Sequence, residues 1–478
     1  MNFPTYRGKL TYHCQECGAQ FPGDELYYTC PQCKGVFLLE DEHFNQLKQT
    51  SGTRWQEIFD ARLGVKQNAL RGIFRYYELM APVFEPEDIV YLGEGNTPII
   101  EANSKLQALV GQKFYYKNDG QNPSASFKDR GMACAFSFLK YLIRKFGWDE
   151  ILTICASTGD TSAAAAMYAA YVNGAIKSVV LLPQGKVTAQ QLAQPLGSGA
   201  VVIELPGVFD DCMKVVEFLA DNYRVALLNS KNAWRILGQE SYAFEIAQWF
   251  SWDVGKKVVF VPIGNAGNIT AIINGFLKLF ELEIIPELPK IIGVQSKHAD
   301  PVFRFYAQPE DKRVYQPVKV EPSVAQAAMI GNPVSFPRVK KLVEKYQRLA
   351  GKDKFGVVQV SEQEIIEGML VANKHGHIAC TQGGECLAGL FRAKELNLIN
   401  PKEEAILDAT AHMLKFIGFQ QMYFENSFPP AYEIKPKPEL MNKPVQVLDE
   451  QSKKQLYFEE FVQEAGQKIV ELLGIEKK

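Results

Sequence analysis

The sequence predicts an α/β protein in which two parallel-sheet domains follow a small metal-binding ribbon. Between residues 113 and 411, short β-rich runs alternate with longer amphipathic stretches, a pattern typical of parallel sheets covered by helices. These runs outnumber the strands that one modest open sheet usually holds, so two sheets are expected. Two Cys-x2-Cys pairs near the start indicate a separate ribbon.

The strands and helices of this pattern can be assigned from β-branched content and apolar spacing. The predicted strands are residues 114–117, 151–155, 178–182, 201–204, 226–228, 258–262, 291–294, 356–360 and 405–407. The predicted helices between them are residues 161–172, 210–222, 238–249, 268–280, 362–375 and 384–396.

Charge and hydropathy argue against nucleic-acid and membrane partners. The 52 Lys and Arg residues nearly balance 54 Asp and Glu residues, and no basic block could neutralise a row of phosphates. No apolar run reaches the roughly 18 residues of a membrane span, and residues 1–14 lack a signal-peptide pattern. We therefore expect a soluble, cytoplasmic protein.

The first four cysteines have the spacing of a zinc ribbon. Cys14 and Cys17 form one Cys-x2-Cys pair, and Cys30 and Cys33 form the second. Two such pairs can fold around one tetrahedral zinc ion, which would stabilise a module of residues 1–40 that buries little apolar surface. Disulfides and empty thiols are the alternatives, and a reducing compartment disfavours disulfides. Four sulfur ligands would close the coordination shell, so a structural zinc is expected.

Lys128 is a candidate Schiff-base lysine. It follows the turn residues Asn122 and Pro123 and opens an apolar, helix-like stretch that ends near Phe146. The partial positive charge of a helix amino end disfavours an ammonium group, so the amine form is easier to reach. A Schiff-base lysine needs that form. An ordinary solvated lysine is the alternative, and other segments must decide between them.

Loops at the carboxyl ends of parallel strands are where ligands bind in such sheets. The loop after residues 151–155 carries Ser157, Asp160 and Thr161 at the start of a predicted helix. Hydroxyls and free N–H groups at a helix amino end can hold an anion. A simple N-cap would use only one or two of these residues.

A glycine-rich turn follows residues 258–262 and opens another predicted helix. It consists of Gly264, Asn265, Ala266, Gly267 and Asn268. Glycines let the backbone approach a phosphate closely, and the helix end supplies N–H donors. It is not a nucleotide P-loop, because no lysine with Ser or Thr follows.

Two further strand ends carry polar groups. Asn229 and Ser230 follow one predicted strand, and Arg235 comes a few residues later. The planar guanidinium of an arginine suits a second, separate phosphate. Thr410 follows the last predicted strand, where its neutral hydroxyl could face a ring nitrogen without protonating it.

Together these segments resemble the threonine synthases, pyridoxal-phosphate (PLP) enzymes of fold type II with a tryptophan synthase β-like architecture. The resemblance spans residues 97–415, and its specificity comes from the order and combination of the motifs. The motifs are Ser126-Phe127-Lys128-Asp129-Arg130-Gly131, Ser157-Thr158-Gly159-Asp160-Thr161, Asn229-Ser230-x-Asn232-x-x-Arg235, Gly264-Asn265-Ala266-Gly267-Asn268, Ile330-Gly331-Asn332-Pro333 and Thr410-Ala411-His412.

The resemblance implies a role for each site residue. Lys128 would form the Schiff base with PLP, Thr410 would face its pyridine nitrogen and Asp160 its 3′-oxygen. The backbone of Gly264, Asn265, Ala266, Gly267 and Asn268 would wrap the cofactor phosphate. The phosphate of the substrate would meet Ser157, Thr161, Asn229, Ser230 and Arg235.

The resemblance also implies a reaction, the conversion of O-phospho-L-homoserine and water to L-threonine and phosphate. Phosphate would leave by γ-elimination and water would add at the β-carbon, as the last step of threonine biosynthesis. Lys128 would move protons at Cα and Cβ while the PLP ring holds the carbanion charge. The departing phosphate would help to deliver the water, which makes Arg235 a positioning group. Relatives are commonly homodimers.

Two segments depart from the family pattern. Asp160 stands where one branch has asparagine, so a carboxylate would face an oxygen that tends to be anionic. A shared proton or a raised carboxyl pKa is then expected. Residues 380–384 lack the Glu-Pro-Ala-Ser run of some relatives, so the contacts of this loop stay open.

Two other functions remain possible from the sequence. One is a serine or threonine dehydratase of the same fold type, which would not need the second phosphate site around Arg235. The other is a zinc-ribbon interaction protein with an inactive PLP fold, although few cations flank the cysteines.

The predicted domain division follows from the motifs and the resemblance. Residues 1–40 form the ribbon, 41–127 with 236–435 the large PLP-binding domain, and 128–235 the small domain. Residues 436–478 form a tail with one amphipathic helix over 453–473, interpreted as a packing or assembly element.

Overall fold

The computed structural model describes residues 2–157, 159–184, 189–207 and 209–476. Its strands in chain order are β1 Leu10–Cys14, β2 Gln20–Pro22, β3 Phe37–Asp41, β4 Ile99–Glu101, β5 Phe114–Lys117, β6 Ile151–Ala156, β7 Ile176–Pro183, β8 Val201–Leu205, β9 Val225–Leu227, β10 Lys257–Pro262, β11 Lys290–Ser296, β12 Phe355–Val360 and β13 Glu404–Asp408. Its α-helices are α1 Phe44–Leu47, α2 Gly52–Ala61, α3 Tyr77–Met80, α4 Ser104–Val110, α5 Lys128–Phe146, α6 Asp160–Val172, α7 Ala189–Gly197, α8 Phe209–Asn222, α9 Ala233–Gln239, α10 Ser241–Trp249, α11 Gly267–Glu281, α12 Pro301–Tyr306, α13 Phe336–Ala350, α14 Glu362–Lys374, α15 Thr381–Glu395, α16 Ile417–Glu425, α17 Glu450–Gln455 and α18 Phe458–Leu473.

The largest sheet has the order β12-β11-β10-β13-β5-β4 and is parallel except for the antiparallel edge strand β4. Successive residues of β10 point to opposite faces, because Val258 and Phe260 join one hydrophobic cluster while Val259 and Val261 join another. Both faces are therefore covered, which explains why the central strands read as nearly continuous apolar runs.

A smaller, fully parallel sheet has the order β8-β7-β6-β9. The nine predicted strands all form, each within two residues of its predicted bounds. The prediction of two parallel sheets is confirmed.

The ribbon is a three-stranded antiparallel sheet with the order β2-β1-β3. Tyr12 is 1% exposed, and its ring packs edge-on against Tyr27 and at a tilt against Phe37, with centroids 5.9 and 5.2 Å away. This aromatic core stabilises the ribbon in addition to any metal that the cysteines bind.

The predicted helix over residues 238–249 is wrong in its bounds. The structure has two helices, because α9 begins at Ala233, where the Asn232 side chain caps the N–H of Arg235 at 3.2 Å. The helix is then interrupted at Glu240, and the Ser241 hydroxyl donates to the Gly238 carbonyl at 2.8 Å. Hydroxyls that bond to the backbone in this way compete with regular helix hydrogen bonds.

The predicted single helix over 453–473 is also divided. Asp449 caps α17 through the N–H of Ser452 at 2.7 Å, and Tyr457 is the N-cap residue of α18. No residue of α17 or α18 is buried, so their apolar side chains contribute no core in the described chain. Among the described residues, no helix combines the length and the apolar character that crossing a bilayer requires.

A buried ion network joins the large sheet to the helix that Lys128 opens. The Arg130 guanidinium, two residues after Lys128, makes paired bonds to Asp119 at 2.7 and 2.8 Å and to Glu245 at 2.8 and 2.8 Å. Lys117, at the end of β5, also donates to Glu245 at 2.8 Å. These four side chains are almost completely buried. Two cations offset two carboxylates, so no charge is left uncompensated.

We expect Arg130→Met to lower the free energy of unfolding by about 3–5 kcal/mol, because it leaves two buried carboxylates with only one cation. Urea unfolding followed by tryptophan fluorescence measures this loss. Arg54→Met is the matched control, since Arg54 pairs with Glu57 on the surface and such pairs contribute less than about 1 kcal/mol. Equal, small losses for both variants would contradict a supporting role for the network.

Candidate active site

A cavity of about 620 Å³, including its opening to solvent, lies where loops of the six-stranded sheet and of the smaller, four-stranded sheet meet. The predicted site residues in its wall are Lys128, Asp160, Ser230, Arg235, Gly264, Asn265, Ala266, Gly267, Asn268 and Thr410. They follow β6 and β9 of the smaller sheet and β10 and β13 of the larger one, or open α5. The carboxyl ends of parallel strands thus converge on one site.

Ser157, Thr161 and Asn229 are not in the cavity wall. The Asn229 carboxamide is occupied, because it donates to the Ala156 carbonyl at 2.7 Å and accepts from the Ala156 N–H at 3.1 Å. The Ser157 hydroxyl accepts from the N–H of Gly159 at 3.2 Å. Thr158, part of the same motif, lies outside the described residues. Contact of these three side chains with substrate stays a prediction.

The turn before Lys128 is held against the segment that carries Thr410. The N–H of Phe127 donates to the Thr410 carbonyl at 2.8 Å, and the N–H of His412 donates to the Ala125 carbonyl at 3.0 Å. Ala125 has a φ of 64°, a left-handed conformation that costs energy in a residue with a side chain. This backbone pairing fixes Lys128 opposite Thr410.

Close packing of α5 on α9 brings Lys128 toward Arg235. A methyl group on Gly131 would lie 2.8 Å from the Gln239 amide and 3.0 Å from the Arg235 carbonyl. One on Gly238 would lie 2.2 Å from the Arg130 carbonyl. Both positions need glycine because the two backbones are nearly in contact.

The environment of Lys128 favours its amine form. Burial and the neighbouring Arg235 and Lys415 cations lower the pKa of Lys128 from 10.5 to about 7, against the opposing effect of Asp160. Burial disfavours the ammonium group because the charge loses its hydration. The lowering of the pKa agrees with the direction expected for a lysine at a helix amino end, but burial is its main cause.

Asp160 has a partner that the sequence did not reveal. Lys415, in the turn after β13, places its ammonium 3.0 Å from the Asp160 carboxylate, and both side chains are largely buried. A cation at this distance offsets the carboxylate charge. With Lys415 beside it, the Asp160 carboxylate could lie near an anionic oxygen of a ligand without sharing a proton with it.

The glycine-rich turn has the close approach and the donors that a phosphate needs. A methyl group on Gly264 would lie 2.9 Å from the Ala328 Cα, so this backbone sits tightly under a neighbouring segment. Ala266 has a φ of 61° and is the N-cap residue of α11. The N–H groups of the first helical turn have no partner within their helix and face the cavity end. Asn268 is fixed by a 2.7 Å bond to Asp408.

Gln382 belongs to the segment 380–384, whose contacts the sequence left open, and lies in the first turn of α15. It lines the cavity, is 3% exposed, and neither atom of its carboxamide has a hydrogen-bond partner within the protein. A buried, unpaired carboxamide is costly, so a bound molecule that pairs with it would be stabilised. Only its cysteine-rich neighbourhood in the sequence could have drawn attention to it.

Arg235 is a buried cation without a carboxylate partner among the described residues. It is 2% exposed, donates through Nη1 to the Leu228 carbonyl at 2.6 Å, and its Nε has no partner. Burial lowers the pKa of Arg235 to about 10. The group would be stabilised by an anion in the cavity.

The four ribbon cysteines converge on one point. Their sulfur atoms all lie within 4.8 Å of one another, with Cys14 and Cys33 3.4 Å apart and Cys17 and Cys30 3.6 Å apart. Tetrahedral zinc with bonds of about 2.3 Å separates its sulfur ligands by roughly 3.8 Å, which these distances approach.

Comparison with known protein families assigns the chain to a class of enzymes. Residues 90–407 match the family described as pyridoxal-phosphate dependent enzyme. The match covers well over half of the chain, and the chain therefore belongs to this class of PLP-dependent enzymes.

Curated relatives narrow the class. The chain is 36% identical over 411 residues to the threonine synthase of Methanocaldococcus jannaschii, covering 85% of this chain and 93% of the relative. It is 33% identical over 396 residues to chloroplastic threonine synthase 2 of Arabidopsis thaliana, covering 82% and 74%. Within the PLP-dependent enzymes, the chain belongs to the threonine synthase family.

Solved structures agree on the fold. The crystal structure of threonine synthase from Escherichia coli matches with a TM-score of 0.62 at 21% identity, covering 90% of this chain and 93% of that one. Serine racemase from maize matches with a TM-score of 0.54 at 16% identity, covering 69% and 92%. At these identities the likeness concerns the fold alone.

The lowered pKa of Lys128 predicts the pH dependence of cofactor uptake. In cofactor-free protein, the rate at which PLP develops its bound absorption band should rise with pH through a midpoint near 7, because only the amine is nucleophilic. Lys415→Met should raise this midpoint by removing a like charge, and Arg235→Gln should raise it further. Lys66→Met, at an exposed position, is the control. A midpoint near the ordinary lysine value of 10.5 would contradict the assignment.

Proposed function

We propose that the protein converts O-phospho-L-homoserine and water to L-threonine and inorganic phosphate, with PLP as cofactor and Lys128 as the proton carrier. Membership of the threonine synthase family supports the reaction. The observation that carries the choice of substrate is Arg235, a buried guanidinium that lines the same wall as Lys128 and forms an ion pair with no carboxylate of the described residues. A phosphorylated substrate offers this cation a second anionic group in addition to its α-carboxylate, whereas an unphosphorylated amino acid offers the carboxylate alone.

Two anion sites divide the cavity in this proposal. The first-turn N–H groups of α11 and the backbone of residues 264–268 suit the phosphate of PLP. Ser230 and Arg235 suit the phosphate of the substrate, because a hydroxyl and a planar guanidinium can both donate to its oxygens. Each phosphate is thereby held by its own loop, and the substrate phosphate can leave while the cofactor stays.

Bound PLP would supply an aldehyde for the substrate amine and a ring that accepts the electron pair left at Cα. Lys128 would then take the protons removed from Cα and Cβ, return one to Cγ once phosphate has left, and return one to Cα after water has added at Cβ. A lysine with a pKa near 7 can both accept and return protons at neutral pH. Arg235 would hold the phosphate as it departs, and would keep it near the carbon to which water adds.

The remaining wall residues orient the cofactor. The neutral Thr410 hydroxyl would face the ring nitrogen without protonating it. Asp160, paired with Lys415, would lie beside the 3′-oxygen, where the lysine offsets the added negative charge. Three charged side chains, Lys128, Asp160 and Arg235, line this wall, and Lys415, which is outside it, pairs with Asp160.

We also propose that Cys14, Cys17, Cys30 and Cys33 bind one structural zinc ion. The convergence of their sulfurs supports this, and a closed set of four ligands leaves no position for a reactant.

For the domain division we keep the bounds 1–40, 41–127 with 236–435, 128–235 and 436–478. The small sheet, from Ile151 to Leu227, falls inside the second α/β unit, and the strands of the large sheet fall on both sides of it.

Arg235→Ala should lower kcat/KM for O-phosphohomoserine by about 10- to 100-fold, since it removes charge-assisted bonds to the phosphate. Phosphate release from O-phosphohomoserine measures the activity, and the cofactor absorption band should persist. Arg224→Ala, at an exposed position of the same domain, should retain full activity. If the wild-type protein deaminated threonine and released no phosphate, the proposed function would be wrong.

Zinc analysis of purified protein should find one ion per chain. Cys17→Ser should abolish zinc binding and lower the thermal stability of the protein, because the metal contributes to folding of the ribbon. Cys212→Ala removes a buried cysteine outside the cluster and should leave the zinc content unchanged. A zinc content that Cys17→Ser does not alter would argue for a different metal site.

A further inference from the structure

Arg338, on α13, joins three separate parts of the protein although it lies outside the cavity wall. Its guanidinium is completely buried. Nε donates to the carbonyl of Phe37 in ribbon strand β3 at 2.7 Å. Nη1 and Nη2 donate to the carbonyls of Ser230 and Lys231 at 3.1 and 2.8 Å. The ribbon and the Ser230 loop are thus fastened to one side chain.

The same guanidinium also reaches the glycine-rich turn through Ser335. Nη1 of Arg338 donates to the Ser335 hydroxyl at 2.8 Å, and the Ser335 N–H donates to the Asn265 carbonyl at 3.1 Å. Arg338 therefore stands between the two loops to which we assign the two phosphates. No carboxylate pairs with it among the described residues, so its bonding capacity is spent on holding backbone and hydroxyl oxygens.

A second contact connects the ribbon to the start of α9, a few residues after Ser230. Trp234, next to Arg235, donates from its indole N–H to the Tyr12 hydroxyl of strand β1 at 2.9 Å. Its ring stacks on Phe138 of α5 with a centroid distance of 4.1 Å. Tyr12 in turn donates to the Glu25 carbonyl at 2.9 Å. The indole is held from both sides, by the ribbon and by the helix that Lys128 opens.

These ties bracket the residues that face the cavity. Ser230 is held at its carbonyl by Arg338, and Arg235 follows directly after the indole held by Tyr12. Hydrogen bonds from buried groups of this kind lock side-chain and backbone geometry, and binding depends on such supports even when they do not touch the ligand.

We propose that the ribbon is a positioning element for substrate recognition, and that Arg338 is the positioning residue through which it sets Ser230 and the start of α9, which carries Arg235, around the phosphate of the substrate. This inference rests on the proposed function. Arg338 touches neither substrate nor cofactor. Its effect should therefore fall on phosphate affinity and leave the chemistry of Lys128 in place.

Steady-state kinetics of the PLP-loaded enzyme test this role. Arg338→Met should raise KM for O-phosphohomoserine by about tenfold or more, because it frees two carbonyls of the loop, while kcat should change less than about threefold. The inhibition constant of inorganic phosphate should rise in parallel with KM. The cofactor absorption band should be unchanged, and Arg338→Lys should restore part of the affinity.

Arg62→Met is the matched control, since Arg62 is also a buried arginine and is not in the cavity wall. It donates to the Glu78 carboxylate through two hydrogen bonds of 2.7 and 2.6 Å. It should lower stability without changing KM or phosphate inhibition. Should Arg338→Met fail to fold, Tyr12→Phe provides a milder variant that removes the acceptor of Trp234. It should raise KM by about threefold.

The possible results separate the two proposals. Absence of phosphate release by the wild-type enzyme would overturn the proposed function. An active wild type whose Arg338 and Tyr12 variants lose stability but keep KM and phosphate inhibition would overturn the role of the ribbon. A loss of kcat or of the cofactor band at unchanged KM would overturn it as well.

Discussion

The active-site arrangement depends on a buried, charge-balanced network beneath Lys128. Burial alone would raise the pKa of Glu245, yet Arg130 and Lys117 outweigh it and hold that pKa well below the ordinary value. The carboxylate therefore stays ionised inside the protein, and each hydrogen bond in the network is charge-assisted. Thr97 completes it, since its hydroxyl donates to Asp119 at 2.7 Å and accepts from Lys117 at 2.8 Å.

The network matters for function because of where its members lie in the chain. Lys117 ends a strand of the large sheet, Arg130 is in the first turn of α5, and Glu245 is in α10. Fixing these three elements fixes the start of α5 relative to the carboxyl edge of the large sheet. The role proposed for Lys128 requires its amine to be placed to within about 0.5 Å, and a rigid foundation of this kind favours that accuracy.

The sequence predicted the parts of this protein that local chemistry determines. Strands buried on both faces read as continuous apolar runs, and the order of loops at their ends identified Lys128, Thr410 and the turn at 264–268. The interruption at Glu240 escaped prediction because no apolar spacing signals it; the Ser241 hydroxyl bonds to the Gly238 carbonyl at this point.

Pairings between residues distant in the chain could not be predicted in the same way. Lys415 meets Asp160, and Arg338 meets Phe37 and Ser230, only because the fold brings separate segments together. Each of these cations is unremarkable in its own sequence neighbourhood. Long-range polar partners are determined by packing, and no periodicity or spacing encodes them.

The distribution of charge in the cavity suits a lysine that serves in several steps of the proposed reaction. Arg235 and Lys415 both lower the pKa of Lys128, whereas Asp160 and Asp408 raise it. In the proposed reaction, the substrate brings a phosphate to Arg235 and thereby offsets the like charge that lowers the pKa of Lys128 more. Lys128 should then accept a proton more readily while phosphate is bound beside Arg235. The proton affinity of the carrier would thus be highest while the phosphate of the substrate is bound, which is when the protons of Cα and Cβ must be removed.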